Sequence, residues 1–166
     1  MKLYVVRHGM TDSNVKGLVN GRNDEDLNAQ GIAQAIRLQT ALLNKPIDLV
    51  ISSPLRRARH TANIINTTNL QILYDDRLIE RETGGYMYYP FAKLNVDRLD
   101  DLHDETIEPL NSVRMRVNDF LNEVKKYQRN VLVVTHGDVA RLIRDELSNG
   151  NDEPNPDNCT VQEYDL

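Results

Sequence analysis

The sequence predicts an α/β fold, a three-layer α/β/α sandwich with a mostly parallel central sheet. Short apolar runs rich in valine and isoleucine alternate along the chain with longer segments whose apolar residues recur at helical spacing. Strands and helices that alternate in this way form parallel sheets with helices on both faces. Because the 166 residues contain no repeat or linker, we expect a single domain over 1–166.

The first elements are predicted from a short apolar run and a longer periodic segment. KLYVV is predicted to be a buried strand. In LNAQGIAQAIRLQTALLN, Ile32, Ile36 and Leu43 recur at helical spacing and are predicted to share a face, with Asn28 as the N-cap. IDLVISS is predicted to be the second strand.

The next helix, PLRRARHTANIIN, is expected to start with Ser53 as its N-cap and Pro54 as its first residue. Helical spacing places three of its basic residues on one face, which we interpret as solvated, and directs Arg57 elsewhere. These three residues are Arg56, Arg59 and His60.

The second half of the chain repeats the alternation. LQILYDD is predicted to be the third strand, NVLVVTHG the fourth and CTVQEYDL a last, edge strand. DVARLIRDELSNG is predicted to be a helix closed by Gly150. The helix before the fourth strand is predicted from one apolar stripe: Leu110, Val113, Val117, Phe120 or Leu121, and Val124.

Composition excludes several classes of protein. The net charge is -5 and the sequence pI about 5.4, which argues against a nucleic-acid partner. Arg7 interrupts the first apolar run too early for a signal peptide, and no segment has membrane-spanning length, so we expect a cytoplasmic protein. The lone Cys159 can form no disulfide within the chain and is interpreted as a small buried residue.

Two of the predicted strands end on the same pair of residues. His8 and Gly9 follow the first strand, and His136 and Gly137 follow the fourth. Ligands of open α/β sheets bind beyond the carboxyl ends of the strands. If these two strands are neighbours, both imidazoles face one crevice.

Two imidazoles beside arginines suit a phosphoryl group. A neutral imidazole is a nucleophile toward phosphorus, and a guanidinium binds phosphate oxygens in pairs. Phosphoryl transfer requires mainly positioning and charge stabilisation, so arginine and histidine can replace a metal. The sequence contains neither a spaced metal-binding pair such as H-E-x-x-H nor a phosphate-binding G-x-x-x-x-G-K-[ST] loop.

Four segments, in order, resemble the histidine phosphatase superfamily, which is also called phosphoglycerate-mutase-like. RHGMTDSN is similar to R-H-G-E-T-x-x-N, and GRNDEDLNAQGIAQA to G-x-x-D-x-x-L-[ST]-x-x-G-x-x-Q-A. ISSPLRRARHTA resembles S-S-P-L-x-R-A-x-x-T-A, and VLVVTHGDVAR the strand and helix of the second histidine.

The resemblance implies roles for particular residues. His8 matches the histidine that becomes phosphorylated, and His136 the second imidazole of the pocket. Arg7 and Arg57 match the arginines that bind the phosphoryl oxygens, and Asn14 matches a further phosphate contact. The substrate side of the pocket would be formed by Gly21, Arg22 and Gly137. Arg22 and Arg81 could reach the rim of the pocket, although structural or surface pairing is the plainer interpretation.

The general acid is predicted from LIERETG, which fits the family pattern L-x-E-x-x-x-G. This match assigns the carboxyl group to Glu80 and the glycine to Gly84. A carboxyl group with a raised pKa can protonate an alkoxide leaving group. Glu82, two residues further on, is the competing candidate.

The sequence also departs from the family. Met10 replaces the usual glutamate beside the nucleophile, and the chain has no tryptophan where the family often continues G-x-W-E-G. We interpret Tyr86, Tyr88 and Tyr89 as half-buried packing residues. The acidic stretch DRLDDLHDETIEP is interpreted as solvated, with His103 exposed; the alternative is a lid over the pocket.

The sequence therefore predicts a metal-independent phosphomonoesterase, without a cofactor, that acts on a small phosphorylated metabolite through a phosphohistidine intermediate. Three alternatives stay open: a phosphoglycerate mutase, a protein phosphohistidine phosphatase, or a weakly active member that binds phosphorylated ligands. Hydrolysis is favoured over mutase activity because the segment after Gly84 is short and lacks the mutases' G-x-x-N-K. Neither nucleic acid nor membrane is expected as a partner, and the oligomeric state is left open.

Overall fold

The computed structural model describes residues 1–148 and 153–166, which form a five-stranded sheet in the order β3-β2-β4-β1-β5. The three pairings among β3, β2, β4 and β1 are parallel, and β5 pairs with β1 in the antiparallel direction at the edge. The mostly parallel sheet and the terminal edge strand are thus confirmed. The strands are β1 (Lys2–Arg7), β2 (Leu49–Ser52), β3 (Ile72–Tyr74), β4 (Val131–Thr135) and β5 (Val161–Asp165).

Five α-helices connect these strands within the described residues: α1 (Asp12–Val15), α2 (Ala29–Leu42), α3 (Arg56–Ile65), α4 (Leu110–Val124) and α5 (Gly137–Leu147). Between β3 and α4 the chain forms four short 3₁₀ turns, at Asp76–Leu78, Gly84–Tyr86, Phe91–Lys93 and Leu99–Leu102. No helix of the described residues is both long and apolar enough to span a bilayer.

Alternation along the strands divides the core between two faces of the sheet. Leu3 and Val5 of β1 belong to one buried cluster with residues of α4 and α5. Tyr4 and Val6 of the same strand belong to another, with residues of α2 and α3. Helices therefore cover both faces, and the predicted three-layer sandwich is confirmed.

The prediction for the buried face of α2 is wrong. Ile36 and Leu43 are 53% and 57% exposed, whereas Ala35, Leu38 and Leu42 are buried. The helix approaches its neighbours too closely for a large residue at some buried positions: a Cβ atom added to Gly31 would lie 2.1 Å from the Met10 carbonyl oxygen. Gly31 and Ala35 therefore occupy part of the inner face, where only small residues fit, and Leu38 and Leu42 fill the rest.

The predicted start of α3 is also wrong. The helix begins at Arg56 with Leu55 as its N-cap, so Ser53 and Pro54 lie before it. The Ser53 hydroxyl is instead hydrogen-bonded to the ring of His136. By contrast, Asn28 does cap α2, because its side chain accepts from the backbone of Gly31.

The apolar stripe of α4 is confirmed, and both Phe120 and Leu121 are buried. Cys159 is only partly buried, at the margin of the cluster under α2 and α3, which corrects its interpretation as a buried residue. Gly150, the predicted end of α5, lies outside the described residues.

Candidate active site

The two histidine–glycine pairs follow neighbouring parallel strands. Arg7 at the end of β1 lies opposite Thr135 at the end of β4, and the His8 backbone N–H donates to the Thr135 carbonyl at 2.9 Å. The ends of β1 and β4 therefore lie side by side where the chain leaves the sheet. The ring centroids of His8 and His136 are 5.1 Å apart, at the carboxyl edge where the sequence predicts a crevice.

The two ring nitrogens of His8 have different partners. Nδ1 lies 2.7 Å from the Gly9 carbonyl oxygen, which can only accept, so Nδ1 carries the proton. Nε2 then holds the lone pair and accepts from Nε of Arg57 at 3.2 Å. Burial lowers the pKa of His8 well below its usual value, and the charges of Arg57 and Arg7 lower it further. The ring is thus neutral and presents a nucleophilic nitrogen.

Arg57 is fully buried and is held by the loop that precedes α2. Nη2 donates to the Gly21 carbonyl at 2.8 Å, and Nη1 donates to both the backbone carbonyl and the side-chain oxygen of Asn23. With Nε directed at His8, most of its five N–H donors are assigned to fixed acceptors. The guanidinium therefore cannot turn away from the imidazole without breaking several hydrogen bonds.

Gly21 permits this arrangement for two reasons. Its φ of +50° lies in the left-handed region. An added Cβ atom would also lie 2.2 Å from the Thr83 hydroxyl oxygen. Only glycine therefore lets the loop pass Thr83 while it presents a carbonyl to Arg57.

Glu80 lies on the segment after β3 and lines the same cavity as His8. Its Oε1 accepts from the Arg81 backbone N–H at 3.0 Å, and Oε2 accepts from the Asp138 N–H at 3.4 Å. Burial raises the pKa of Glu80 to about 7, and the charge of Asp138 raises it too, against the opposing effects of Arg57 and Arg7. A carboxyl group of this kind is partly protonated near neutral pH.

Glu82, the competing acid, has a different environment. Its Oε1 accepts from the backbone N–H groups of Thr83 and Gly84, at 2.9 and 3.2 Å. The carboxylate therefore supports the local turn. Glu80 lines the cavity at the site and Glu82 does not.

The ring of His136 is hydrogen-bonded to Ser53, which was predicted to be a helix cap. Nε2 of the ring lies 2.7 Å from the Ser53 hydroxyl, and both side chains are fully buried. Nδ1 is buried without a partner among the described residues. Burial lowers the pKa of His136 well below its usual value, and Arg57 and His8 lower it further. Ser53 lies within the ISSPL segment that carries the family resemblance, so the signal for its role was present.

The segment before β5 holds the side chain of Arg7. This contact was not predicted from the sequence. Nη1 of Arg7 donates to the Pro156 carbonyl at 2.7 Å, and Asn158 donates to the His8 carbonyl at 2.8 Å. Burial lowers the pKa of Arg7, although nearby Glu80 and Asp138 raise it. Gly137 lies against this segment, since an added Cβ atom would be 2.7 Å from Asn155 Nδ2.

Asn14 and Met10 belong to the turn after β1. Asn14 Oδ1 accepts from the backbone N–H of Thr11, and this pairing caps the short helix α1. The Met10 backbone N–H donates to the side chain of Gln34 at 2.9 Å, so α2 fixes the turn beside His8.

One cavity of about 570 Å³ opens above these groups. Among the predicted site residues, its lining includes Arg7, His8, Asn14, Gly21, Glu80 and Gly137. Arg57 and His136 are buried against His8 below this lining. The structure thus brings together every predicted site residue except Arg22.

Arg22 does not line the cavity, contrary to its assignment to the substrate side. Its guanidinium donates to the Glu80 carbonyl at 3.0 Å and forms an ion pair with Glu108 at 3.0 Å. Arg22 therefore has the structural role that we gave as the plainer interpretation. Arg81 also pairs structurally, with Asp100 at 2.6 Å, but it is buried and lines the cavity.

The prediction for the three tyrosines holds only in part. Tyr86 is partly buried, whereas Tyr88 and Tyr89, also interpreted as half-buried packing residues, are 52% and 43% exposed. None of the three lines the cavity, whereas Phe91 does. Of the acidic stretch, 98–100 line the cavity, so the stretch is not purely solvated, while His103 is exposed as predicted. Within 1–148 and 153–166, no three His, Cys, Asp or Glu side chains are grouped to hold a metal ion.

Comparison with known proteins agrees with this geometry. A sequence model of the histidine phosphatase superfamily, branch 1, matches residues 3–165. Phosphoserine phosphatase 1 of Hydrogenobacter thermophilus is 33% identical over 149 residues, which cover 82% of this chain and 71% of that protein. Adenosylcobalamin/alpha-ribazole phosphatase of Escherichia coli K12 is 30% identical over 156 residues, covering 86% and 77%.

Solved structures show the same fold. The alpha-ribazole phosphatase of Shigella flexneri matches with a TM-score of 0.87 and 28% identity, over 100% of this chain and 91% of that one. Since the family model spans nearly the whole chain and the relatives are named as phosphatases, the protein belongs to the histidine phosphatase superfamily and is a phosphatase of phosphate monoesters.

Proposed function

We propose that the protein hydrolyses the monophosphate of a small metabolite through a phosphohistidine intermediate on His8, without a metal ion. The observation that carries the proposal is one cavity lined by a neutral imidazole, Arg7 and a carboxyl group whose pKa is raised to about 7, with Arg57 buried against the imidazole. These are the nucleophile, the anion-binding groups and the acid that phosphoryl transfer requires.

In the first step Nε2 of His8 attacks phosphorus and the bond to the ester oxygen breaks. The departing oxygen takes the proton of Glu80, so that a neutral alcohol leaves. The phosphorylated ring becomes a cation that keeps its proton on Nδ1, where the Gly9 carbonyl accepts it. Arg57, which donates to Nε2 in the free site, is placed to donate to a phosphoryl oxygen once that lone pair is used.

In the second step water replaces the imidazole. Glu80, now a carboxylate, accepts a proton from the attacking water, the P–Nε2 bond breaks and phosphate is released. His8 returns to its neutral form and Glu80 to its protonated form. The raised pKa suits both steps, because the group must donate and accept near the same pH.

The negative charge of the transferring group is balanced by the protein. Arg7 and Arg57 are held by backbone carbonyls, so they need not reorganise during the reaction. The unpartnered Nδ1 of His136 provides a further polar atom, and the first turn of α5 adds backbone N–H groups that favour an anion. Asn14 is assigned to the same phosphate subsite through the family resemblance.

The substrate class follows from size and from the relatives. A volume of about 570 Å³ is within the range of small-molecule sites. The relatives are named for phosphoserine and for adenosylcobalamin or alpha-ribazole phosphates, all of low molecular weight compared with proteins. A phosphorylated protein side chain and a phosphoglycerate remain as alternative substrates for the test panel.

Turnover of p-nitrophenyl phosphate in excess EDTA tests the proposal. We expect phosphate release to continue, because arginines replace the metal's positive field. His8→Ala should abolish it with the fold retained, measured by circular dichroism. Loss of activity in EDTA with rescue by a divalent ion would overturn the metal-independent reaction, and near-native activity of His8→Ala would overturn the nucleophile. A folded wild-type protein without turnover that binds the phosphate ester would favour a phospholigand-binding role.

A further inference from the structure

The leaving-group side of the cavity has balanced charge, which bears on the identity of the substrate. Apart from the residues of the reaction, the described lining carries three arginines and three carboxylates. Arg81 pairs with Asp100 at 2.6 Å, and Arg141 pairs with Asp138 at 3.6 Å. Asn155 also donates to Asp138 at 3.1 Å. The formal charges of this part of the lining sum to zero, so it carries no net charge that would favour a carboxylate or an ammonium group of the substrate.

Two polar atoms of the same wall are neutral and unused. The Thr83 hydroxyl is buried without a hydrogen-bond partner among the described residues, and Thr83 is 3% exposed. The side-chain oxygen of Asn20 is likewise buried and unpartnered. Both residues line the cavity. A buried polar atom without a partner is costly, so a ligand that supplies hydroxyl groups would be favoured here.

Apolar side chains complete this wall. Leu18, Phe91 and Leu99 line the cavity, and Phe91 is 38% exposed. Apolar side chains can pack against the C–H face of a sugar ring, and the same wall contains Thr83 and Asn20. Small-molecule sites commonly combine apolar walls with a few placed polar groups.

We infer that the alcohol released by this phosphatase is neutral and polyhydroxylated, so that the substrate class is a sugar or polyol monophosphate. The inference rests on the proposed phosphatase reaction at His8. Thr83 and Asn20 are then specificity-determining residues, which bind the alcohol through its hydroxyl groups.

A panel of esters tests this inference with the intact protein. Ribose 5-phosphate and glucose 6-phosphate represent polyols, O-phosphoserine and 3-phosphoglycerate represent charged alcohols, and n-butyl phosphate is neutral without further hydroxyls. We expect kcat/KM for the better polyol ester to exceed the others by about tenfold or more. A charged ester as the best substrate, or n-butyl phosphate equal to the polyols, would overturn the inference.

The variant Thr83→Val removes the hydroxyl with little change of shape. We expect the ratio of kcat/KM for ribose 5-phosphate to that for p-nitrophenyl phosphate to fall about tenfold, the effect of one lost hydrogen bond. Thr68→Val, at an exposed threonine remote from the cavity lining, is the matched control. An unchanged ratio in Thr83→Val contradicts the inference alone if p-nitrophenyl phosphate is still hydrolysed. If the wild-type protein does not hydrolyse it, the proposed function fails and this inference fails with it.

Discussion

At the scale of single residues, hydrogen bonds and burial determine the protonation of His8 and Glu80. The Gly9 carbonyl keeps the proton of His8 on Nδ1, and burial keeps the ring neutral. Burial shifts the pKa of Glu80 in the opposite direction, because it raises the pKa of a carboxyl group and so favours the protonated, neutral form. One buried environment thus favours a neutral imidazole and a neutral carboxyl group, as the proposed nucleophile and the proposed acid require.

The role of Glu80 predicts a dependence on the leaving group. Glu80→Gln cannot donate the proton, so kcat on an alkyl phosphate should fall by roughly a hundredfold or more. The loss on p-nitrophenyl phosphate should be much smaller, since its leaving group hardly needs a proton. Steady-state kinetics on both esters check this.

The pH profile adds an independent readout for Glu80. Because the acid must be protonated, wild-type kcat on an alkyl phosphate should decline above the pKa of about 7. Glu80→Gln should lose this alkaline decline. Equal losses on both esters, with the profile retained, would show that Glu80 only positions the substrate.

Ser53 is predicted to be a positioning residue that acts through His136. Ser53→Ala removes the 2.7 Å hydrogen bond to Nε2 and leaves the ring free to change tautomer. We expect kcat to fall about tenfold, in line with one lost hydrogen bond. Nitrogen NMR of the ring should show the altered tautomer.

Ser52→Ala is the matched control, because Ser52 is equally buried and donates to the Ser53 carbonyl. It should leave the His136 nitrogen shifts unchanged. If both variants shift the ring or neither does, Ser53 has no specific role in positioning it.

At the scale of elements, the loop before α2 holds Arg57, the proposed phosphate-binding arginine. Its carbonyls at Gly21 and Asn23 accept from Arg57, and Asp26 at its far end pairs with His60 at 2.8 Å and Arg56 at 3.4 Å on α3. The basic face that we interpreted as solvated therefore also fastens this loop. The pairing lowers the pKa of Asp26, against the effect of burial.

The close approach of Gly21 to Thr83 predicts that replacing Gly21 or Gly17 by alanine lowers the free energy of unfolding by different amounts. Gly21→Ala and Gly17→Ala both place a side chain at positive φ, a cost of about 1–2 kcal/mol. Only Gly21→Ala also meets Thr83, since an added Cβ at Gly17 has open space around it. Urea unfolding should therefore show a clearly larger loss of stability for Gly21→Ala. Equal losses would show that the loop moves freely away from Thr83.

Several elements show what a sequence can and cannot predict. Strands β1 and β4 were predictable because a continuous valine-rich run is typical of a strand that is buried on both faces of a parallel sheet. The buried face of α2 was not, because the approach of Gly31 to the Met10 backbone decides which side chains fit. Ser53 was misassigned because Ser-Pro before a helix is a common cap, and only the tertiary structure brings it to His136.

The cavity wall was the least predictable part of the site. Phe91 and the segment 98–100 line it, but they lie in irregular chain where no periodicity indicates direction. The residues at the defining positions of the motifs were predictable through the family resemblance. The position of Arg22 outside the cavity lining was not predictable, because its ion-pair partner Glu108 is distant in sequence.

At the scale of the whole molecule, the exposure of the cavity wall to solvent bears on the choice between hydrolysis and mutase activity. Between β3 and α4 the described chain forms only short 3₁₀ turns, and lining residues such as Phe91 are partly exposed to solvent. A mutase must exclude water from its phosphohistidine while the intermediate reorients. We therefore expect hydrolysis to dominate.

Supplying 3-phosphoglycerate with a trace of the 2,3-bisphosphate checks this expectation. Inorganic phosphate should be the main product of any turnover. Rapid interconversion to 2-phosphoglycerate without phosphate release would show instead that the wall shields the intermediate.

The central claim, a phosphohistidine on His8, is tested most directly by trapping it. Rapid mixing with a ³²P-labelled monoester, followed by an alkaline quench and mass mapping, should place the label on the peptide that contains His8. A phosphoramidate survives base and hydrolyses in acid, so the label should be lost on acidification. Label that is stable to acid, that maps to another residue, or that persists in His8→Ala would contradict the assignment of His8 as the nucleophile.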